Sequence, residues 1–194
     1  MSMLSKKFNF NEVFDSQKLF RVILTAMSNP FRTINIKAFG DKLFGDNADI
    51  LAVAMTLLDN EVSFCTCENR QLSEEIISLT LSNRDTVENA DLIFVTNPDD
   101  LPKTIANVKC GTLVDPHKSA TIVIKIPADK NTNLLMTGPG IDGKLTVSTS
   151  EVVEDVVQMR DNRFFEYPEG IDLIFIDDDY NLFAVPRLVQ REVV

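Results

Sequence analysis

The sequence predicts an α/β fold, a single layered domain with a mixed sheet that spans residues 1–194. Helical apolar patterns alternate with short strand-like runs along the chain, and this alternation is typical of helices packed on a sheet. No repeat, low-complexity tract or linker divides the 194 residues, a length that suits one domain. Hydrophobic residues make up 44% and charged residues 25%, as in ordinary globular domains.

The first helix is expected to begin at Asp15 or Ser16, either of which can cap it, and to end near Ser28. Pro30 stops it, because proline disfavours helical geometry in the preceding residue. Residues 31–38 then alternate between apolar and polar side chains, which predicts a half-exposed strand. The apolar residues of the helix recur at helical spacing and predict one buried face, made of Leu19, Phe20, Ile23, Ala26 and Met27.

Five segments complete the first half of the chain. Residues 48–58 are apolar on nearly every side, which predicts a helix buried on more than one face. Residues 91–96 form an apolar run that suits a strand covered on both faces. The other expected elements are a strand at 62–66, a helix from Ser73 to about Leu81 and a short helix over 99–108.

The second half is richer in strands. Ser150 is a good cap for a helix whose apolar side contains Val152, Val153, Val156, Val157 and Met159. The acidic residues 177–180 separate the last two predicted strands and indicate a hairpin turn. The expected strands are 120–126, 134–137, 145–149, 171–176 and 182–185.

Charge and hydropathy exclude several classes of protein. The formal net charge of −10, from 19 basic and 29 acidic residues, argues against nucleic acid as a partner, because that binding depends on Lys and Arg neutralising phosphates. Residues 1–10 contain no apolar signal core, and the apolar stretch 50–58 is far shorter than the ~20 residues of a membrane span. We therefore expect a cytoplasmic protein with no membrane partner, whose three cysteines stay reduced.

Motifs that would make the chain a catalyst by itself are missing from the sequence. It has seven glycines and neither of the glycine-rich phosphate-binding motifs. His117 is the only histidine, and no G-x-S-x-G elbow presents a serine to it. Cys65 and Cys67 could bind a soft metal, and Cys110 could act as a nucleophile, but for all three cysteines a packed side chain is the preferred interpretation. A turn is likewise preferred to a cation site at residues 177–179. We predict no catalytic residue, no metal and no cofactor.

Two features remain as candidates for contact with a ligand or partner. The segment 137–143, Thr-Gly-Pro-Gly-Ile-Asp-Gly, is first of all a tight turn between strands, although ligand contact there stays open. Asp172 interrupts an apolar strand and must find a hydrogen-bond donor. Closing the predicted hairpin brings it towards Arg187. An ion pair that only stabilises the fold is the preferred interpretation, and substrate or partner contact is the alternative.

Five blocks in the chain resemble one bacterial family. The blocks begin with Phe20-Arg21 and Ala26-Met-Ser-Asn-Pro30 and end with Ala184-Val-Pro-Arg187. Between them lie Gly111-Thr112 with Asp115-Pro116 and Ala120-Thr121, then Gly138-Pro-Gly-Ile141, then Pro168-Glu-Gly-Ile-Asp-Leu173. In this order the blocks resemble the H subunit of the phosphonate carbon–phosphorus lyase system, PhnH, over residues 20–187. Family members often have glycine where Phe31 stands, which puts the geometry of that first turn in question.

The resemblance implies an architecture, partners and a pathway. It implies a three-layer α/β/α domain similar to the large domain of pyridoxal-phosphate-dependent transferases, without that cofactor. The family forms homodimers alone and joins the G, I and J subunits in a core complex. With the L subunit, that machinery makes α-D-ribose 1-methylphosphonate 5-triphosphate from ATP and a phosphonate. No catalytic residue is implied, and the matched positions that become candidates for ligand or partner contact are Arg21, Gly138, Pro139, Gly140, Asp172 and Arg187.

Three functional hypotheses follow. The first is a subunit that supports assembly of the lyase complex and has no activity alone. The second is an independent enzyme that uses carboxylates such as Asp172 for acid–base chemistry. The third is a small-molecule sensor that binds nucleotide or phosphonate without reacting. Activity with pyridoxal phosphate is not expected, because nothing marks a lysine of the chain as the desolvated residue that a Schiff base requires.

Overall fold

The computed structural model describes residues 8–163 and 165–192. The ends of the predicted domain, residues 1–7 and 193–194, lie outside the described residues, as does most of the segment in which no signal core was expected. The helices are α1 (Phe14–Ser28), α2 (Lys37–Gly40), α3 (Ala48–Leu57), α4 (Arg70–Thr80), α5 (Leu101–Asn107) and α6 (Glu151–Asp161). The strands are β1 (Ile34–Asn35), β2 (Ser63–Cys65), β3 (Asn83–Arg84), β4 (Leu92–Val95), β5 (Thr121–Ile126), β6 (Thr132–Thr137), β7 (Leu145–Thr149), β8 (Asp172–Asp177), β9 (Asn181–Val185) and β10 (Gln190–Arg191).

The prediction of an α/β fold with a mixed sheet is confirmed. Seven strands form one sheet in the order β1-β9-β8-β5-β4-β2-β3. The five strands from β8 to β3 in this order run parallel, while β9 pairs antiparallel with β8 and β1 antiparallel with β9. The structure adds a separate antiparallel sheet in the order β10-β6-β7, which the sequence did not separate from the main one. All parallel strands therefore share an amino edge and a carboxyl edge.

Both faces of the seven-stranded sheet are covered by apolar side chains. Ile174 and Ile176 of β8 join a cluster with residues of α1, α3 and α4. Leu173 and Phe175 point the other way and join a second cluster with residues of α5, α6 and the small sheet. This alternation follows from the pleat, which sends successive side chains to opposite faces. The central strands β4 and β8 are accordingly apolar along nearly their whole length.

The start of α1 differs from the prediction. The Asn11 Oδ1 atom accepts the backbone N–H groups of Val13 and Phe14, at 3.0 and 2.8 Å, and so satisfies donors at the helix start. Asp15 lies inside the helix, where its carboxylate accepts from the Asn11 N–H at 2.8 Å and from Lys42 Nζ at 2.6 Å. Asp15 and Ser16 are therefore wrong as caps. Burial raises the pKa of Asp15, but the bonds from Lys42 and Asn11 outweigh it and leave the pKa below its usual value.

Three further predictions need correction. Phe20 is 50% exposed, because the buried face of α1 is made by Leu19, Ile23 and Ala26, and Phe20 lies to one side of it. The predicted strand 31–38 shrinks to β1, since Asn35 Oδ1 accepts the Lys37 N–H and starts the turn into α2. The α4 helix begins at Arg70, not Ser73, because Asn69 Oδ1 caps it by accepting the Leu72 N–H at 3.0 Å.

Other elements agree with the sequence. Every residue from Ala48 to Ala54 of α3 is buried, as its continuous apolar pattern predicted. Ser150 caps α6 by accepting the Val153 N–H through its hydroxyl. The β8–β9 hairpin turns at Asp177, whose Oδ1 accepts the N–H groups of Asp179 and Asn181 at 2.9 and 2.8 Å. The predicted turn is confirmed. None of the helices in the described part of the chain has both the length and the apolar composition that membrane spanning requires.

Candidate functional site

Asp172 and Arg187 meet at the amino edge of the sheet. Asp172 is the first residue of β8, and Arg187 follows the end of β9, so the antiparallel pairing places them side by side. Asp172 Oδ1 accepts the Arg187 backbone N–H at 2.8 Å. The Arg187 guanidinium donates to both carboxylate oxygens, through Nε and Nη2. The predicted ion pair is formed, with both side chains largely shielded from solvent at 11% and 20% exposure.

Arg187 also ties in a third segment. Its Nη1 atom donates to the Pro116 carbonyl at 2.6 Å. Pro116 belongs to a short 3₁₀ turn, Pro116–Lys118, that leads into β5. One arginine thus links the start of β8, the end of β9 and the entry to β5. The two Asp172 carboxylate oxygens and the Pro116 carbonyl accept from the Arg187 side chain. Much of its hydrogen-bonding capacity is therefore already used within the protein.

The Gly-Pro-Gly segment joins the same region. Gly138 has φ +135°, and a Cβ atom built on it would lie 2.7 Å from the Leu188 carbonyl oxygen. Gly140 has φ +85°, and its Cβ would lie 2.7 Å from Pro30 Cδ and 2.8 Å from the Ser28 carbonyl oxygen. Only glycine allows the backbone to approach so closely. The loop between β6 and β7 is therefore wedged between the end of α1 and the chain that follows Arg187. We name this meeting of residues 28–30, 116, 138–140, 172 and 187–189 the motif junction.

Sequence reasoning missed two arginines. Arg160 of α6 bonds to the motif junction, and Arg163, which follows α6, bonds to the chain at the end of α5. The Arg160 side chain is only 2% exposed, and its Nη1 donates to the Val185 and Pro186 carbonyls at 3.3 and 3.2 Å. Its Nη2 donates to Val189 O and to Asp161. Arg163 Nη1 donates to the carbonyls of Ile105 and Val108. A sequence signal for Arg160 exists: it follows Val156 and Val157 at spacings of four and three, on the apolar face of the helix.

Two adjoining cavities open beside the motif junction. One, of about 350 Å³, is lined by Pro139, Tyr167, Glu169 and Arg187 among others. The other, of about 330 Å³, is lined by Arg160 and Arg163 and shares Phe165, Arg187 and Gln190 with the first. The guanidinium groups around them already donate to carbonyl and carboxylate oxygens of the chain. The region is built to join segments, and it offers no serine, cysteine or histidine at these cavity walls.

The remaining candidates lie elsewhere. Arg21 is exposed on α1 and makes none of the contacts described above. His117 lies in the 3₁₀ turn before β5. Cys65 is buried, as the packing interpretation expected, whereas Cys67 and Cys110 are partly exposed. Across residues 8–163 and 165–192, no group of three or more His, Cys, Asp or Glu side chains is arranged to bind a metal ion.

Comparison with known proteins decides the family. The model of the family described as "Bacterial phosphonate metabolism protein (PhnH)" matches residues 8–192. The chain belongs to the PhnH family. A related protein of Stutzerimonas stutzeri, named "Putative C-P lyase subunit protein HtxG", is 24% identical over 172 residues, which cover 88% of this chain and 83% of that protein.

The PhnH resemblance blocks converge in space although they are far apart in sequence. All five blocks contribute to the motif junction. Gly140 approaches Pro30, and Gly138 approaches Leu188, the residue after Arg187. Arg187 in turn bonds to Asp172 and Pro116. Of the six PhnH-matched candidates, Gly138, Pro139, Gly140, Asp172 and Arg187 lie there together. Arg21 does not.

Proposed function

We propose that this chain is a subunit of a carbon–phosphorus lyase complex, and that it supports assembly of the complex instead of catalysing a step alone. Membership of the PhnH family carries the proposal. A relative whose name describes a C-P lyase subunit supports it. The finer proposal is that the complex contains the G, I and J subunits and makes α-D-ribose 1-methylphosphonate 5-triphosphate from ATP and a phosphonate.

The contacts at the motif junction support a structural role. A general base needs an oxygen that is free to take a proton from substrate. The Asp172 carboxylate instead accepts one backbone N–H and a guanidinium on both oxygens. The neighbouring guanidinium groups likewise donate to main-chain carbonyls. These side chains stabilise the path of their own chain, so we propose that the blocks preserve a shape that partners recognise.

The proposed architecture is the three-layer α/β/α domain that the resemblance implies. Hydrophobic clusters on both faces of the seven-stranded sheet support it. Similarity to the large domain of pyridoxal-phosphate-dependent transferases, and a homodimer in the absence of the other subunits, belong to the same proposal.

The exposed face of α1 is the surface that we propose for partner contact. Phe20 and Leu24 are 50% and 54% exposed there, and helical spacing places Leu24 beside both Phe20 and Arg21. Large apolar side chains that flank an arginine are typical of the residues that dominate protein interfaces. Arg21 keeps its place as a partner-contact candidate on this ground.

Co-expression with the G, I and J subunits tests the subunit role. We expect the complex to gain mass when this chain is present, and ATP with methylphosphonate to be converted by the full set of subunits with the L subunit. The chain alone should convert neither. Assembly of the complete complex and undiminished turnover without this chain would contradict the proposal.

A charge reversal on α1 tests the contact surface. Arg21→Glu should weaken co-purification with the other subunits, because it changes the charge within the exposed apolar face. Arg70→Glu, which makes the same charge reversal at an exposed position of α4, is the matched control and should co-purify normally. Equal behaviour of the two variants would remove Arg21 from the interface.

A small-molecule sensor is the second candidate function. The cavities of about 350 and 330 Å³ beside the motif junction favour it, because small-ligand sites fall in the range of about 300–1,000 Å³. Calorimetry with ATP, adenine and methylphosphonate tests it on the purified chain. Binding heat that disappears in Arg187→Ala but persists in Arg21→Ala would favour the sensor. The absence of binding heat with all three ligands would rule it out.

A further inference from the structure

A separate cavity lies at the opposite edge of the sheet from the motif junction. Its volume is about 660 Å³, the largest of the cavities described here. Its walls come from the residues that follow β2, from those that follow β3 and from α5. Cys65 and Cys67 both line it. Because β2, β3 and β4 run parallel, this cavity lies at their carboxyl ends, whereas Asp172 lies at the amino end of β8.

The chain topology opens a crevice at this position. From β2 the chain passes through α4 to β3, towards one side of the sheet. From β4 it passes through α5 to β5, towards the other side. The two helices also pack on opposite faces, since Leu72 of α4 and Leu101 of α5 belong to different hydrophobic clusters. A reversal of this kind leaves a gap between the carboxyl ends of neighbouring strands, where open α/β sheets bind their ligands.

Two thiols meet inside this crevice. Cys65 ends β2, and its Sγ accepts the Cys67 backbone N–H at 3.3 Å. Cys67 has φ +53°, a left-handed conformation that is uncommon for residues other than glycine. Its Sγ lies 3.4 Å from Thr104 Oγ1 of α5. The unusual backbone turn and the bond to α5 therefore hold both sulfur atoms at the wall of one cavity.

The pair is electrostatically unequal. A hydrogen bond from the Cys67 side chain lowers the pKa of Cys65 to about 6 against the opposing effect of burial, and Arg84 lowers it further. The same contact and burial raise the pKa of Cys67. The lowered pKa of Cys65 favours its thiolate, and the raised pKa of Cys67 favours its thiol. The charged groups that line the cavity are Glu68, Arg84, Asp85, Glu88, Asp100 and Lys103.

We propose that this crevice is a thiol reaction site, in which Cys65 attacks small uncharged hydroperoxides and Cys67 converts the product into a Cys65–Cys67 disulfide. In the first step the Cys65 thiolate attacks the terminal peroxide oxygen and becomes a sulfenic acid. The O–O bond breaks, and the leaving group is hydroxide from hydrogen peroxide or alkoxide from an organic hydroperoxide. In the second step the Cys67 sulfur attacks that sulfenic sulfur, its proton leaves with the hydroxyl group as water, and the disulfide forms. The two thiols lose two electrons, which reduce the peroxide.

The charge of the cavity wall determines which oxidants can reach the thiols. Four carboxylates and two cations surround the thiols, so the wall carries a net negative charge and disfavours anionic oxidants. A neutral hydroperoxide is an oxidant that this wall does not repel. The reaction requires no other subunit and does not depend on the proposed role in a lyase complex.

Peptide mass spectrometry on the purified full chain tests the site. After brief exposure to hydrogen peroxide, we expect Cys65 and Cys67 joined in one peptide, the bond reversed by a dithiol reductant, and Cys110 still free. Cys67→Ser should leave Cys65 as a sulfenic acid that dimedone traps. Cys110→Ser is the matched control and should form the disulfide as the unaltered chain does.

Alkylation kinetics give a second readout that needs no variant. At pH 6 iodoacetamide should modify Cys65 about tenfold faster than it modifies glutathione, since a larger thiolate fraction outweighs the lower nucleophilicity of a low-pKa thiol. Oxidation of Cys110 in preference to the pair would overturn the proposal. So would a Cys65 that reacts no faster than glutathione, or peroxide treatment that leaves both thiols reduced.

Discussion

The ion pair between Asp172 and Arg187 gives the sharpest test of the motif junction. Asp172→Ala removes the acceptor of the Arg187 backbone N–H and of its Nε and Nη2 groups. The guanidinium then keeps only the Pro116 carbonyl as an acceptor, in surroundings that expose 20% of the side chain. Removing one partner of a fully buried pair costs about 3–5 kcal/mol, whereas exposed pairs contribute about 0.2–1 kcal/mol. The partial exposure of Arg187 places the expected loss at about 2–3 kcal/mol.

Urea unfolding measures this loss. With a slope of about 2 kcal/mol per molar urea, Asp172→Ala should lower the midpoint by about 1 M or slightly more. Asp172→Asn should lower it less, because the amide oxygen still accepts the Arg187 N–H. In Asp172→Ala/Arg187→Ala the loss should be smaller than the sum of the single losses, since the second substitution removes the unpaired charge.

Asp115→Asn is the matched control, because Asp115 pairs with Lys118 through side chains that are 37% and 64% exposed. It should leave the urea midpoint unchanged. A midpoint for Asp172→Ala that is indistinguishable from this control would refute the view that the pair stabilises the junction. Equal losses in the double variant and in the sum of the single variants would refute the direct coupling.

Two other predictions concern the loop and the first helix. Gly138→Ala should lower the unfolding free energy by about 2–4 kcal/mol, because the new Cβ meets the Leu188 carbonyl and the φ is unfavourable. Gly143 also has a positive φ but open space around it, so Gly143→Ala should lower the unfolding free energy by only about 1 kcal/mol in the same urea assay. Equal losses in the two variants would contradict the close packing at Gly138. Asp15→Asn should lower the urea midpoint at pH 7, and the gap from the unaltered chain should close as the pH falls below 3.8. The lowered pKa of Asp15 contributes stability that is fully present above its usual value of 3.8 and disappears as pH falls through the folded pKa. A gap that stays constant with pH would show that the carboxylate charge of Asp15 does not matter.

Elements with a local signal could be predicted from the sequence. A continuous apolar run predicts the helix α3, and its residues from Ala48 to Ala54 are buried. The β8–β9 hairpin follows from two apolar runs that flank an acidic turn, and that turn closes through the Asp177 carboxylate. The Asp172–Arg187 pair was predictable for the same reason, since hairpin pairing alone brings its two residues together. In each case residues near in sequence supply the information.

Features that depend on distant residues could not be predicted. The small sheet includes β10, a pair of residues that joins β6 more than fifty positions away. Gly138 and Gly140 look like an ordinary turn until the chain brings Leu188 and Pro30 against them. The cap of α1 was missed because Asn11, whose side chain accepts the Val13 N–H, lies before the apolar residues from which the helix was predicted. The two thiols were weighed as metal ligands and interpreted as packed side chains, and their sequence does not reveal that β2 ends in a crevice between diverging chain connections.

The motif junction and the exposed face around Arg21 lie at different places in the fold. This separates residues that maintain the fold from residues that can contact partners. The PhnH blocks meet at the amino edge of the sheet. There Arg187 and Arg160 donate hydrogen bonds to carboxylates and carbonyls of their own chain. A family pattern at such a place reports how the chain is folded, because any ligand would have to displace bonds that the fold already uses. Contact with partners must therefore depend on groups that the fold leaves open, and the exposed face around Arg21 is such a place. It follows that disrupting the junction should lower stability and assembly together, while changing Arg21 should weaken assembly at unchanged stability.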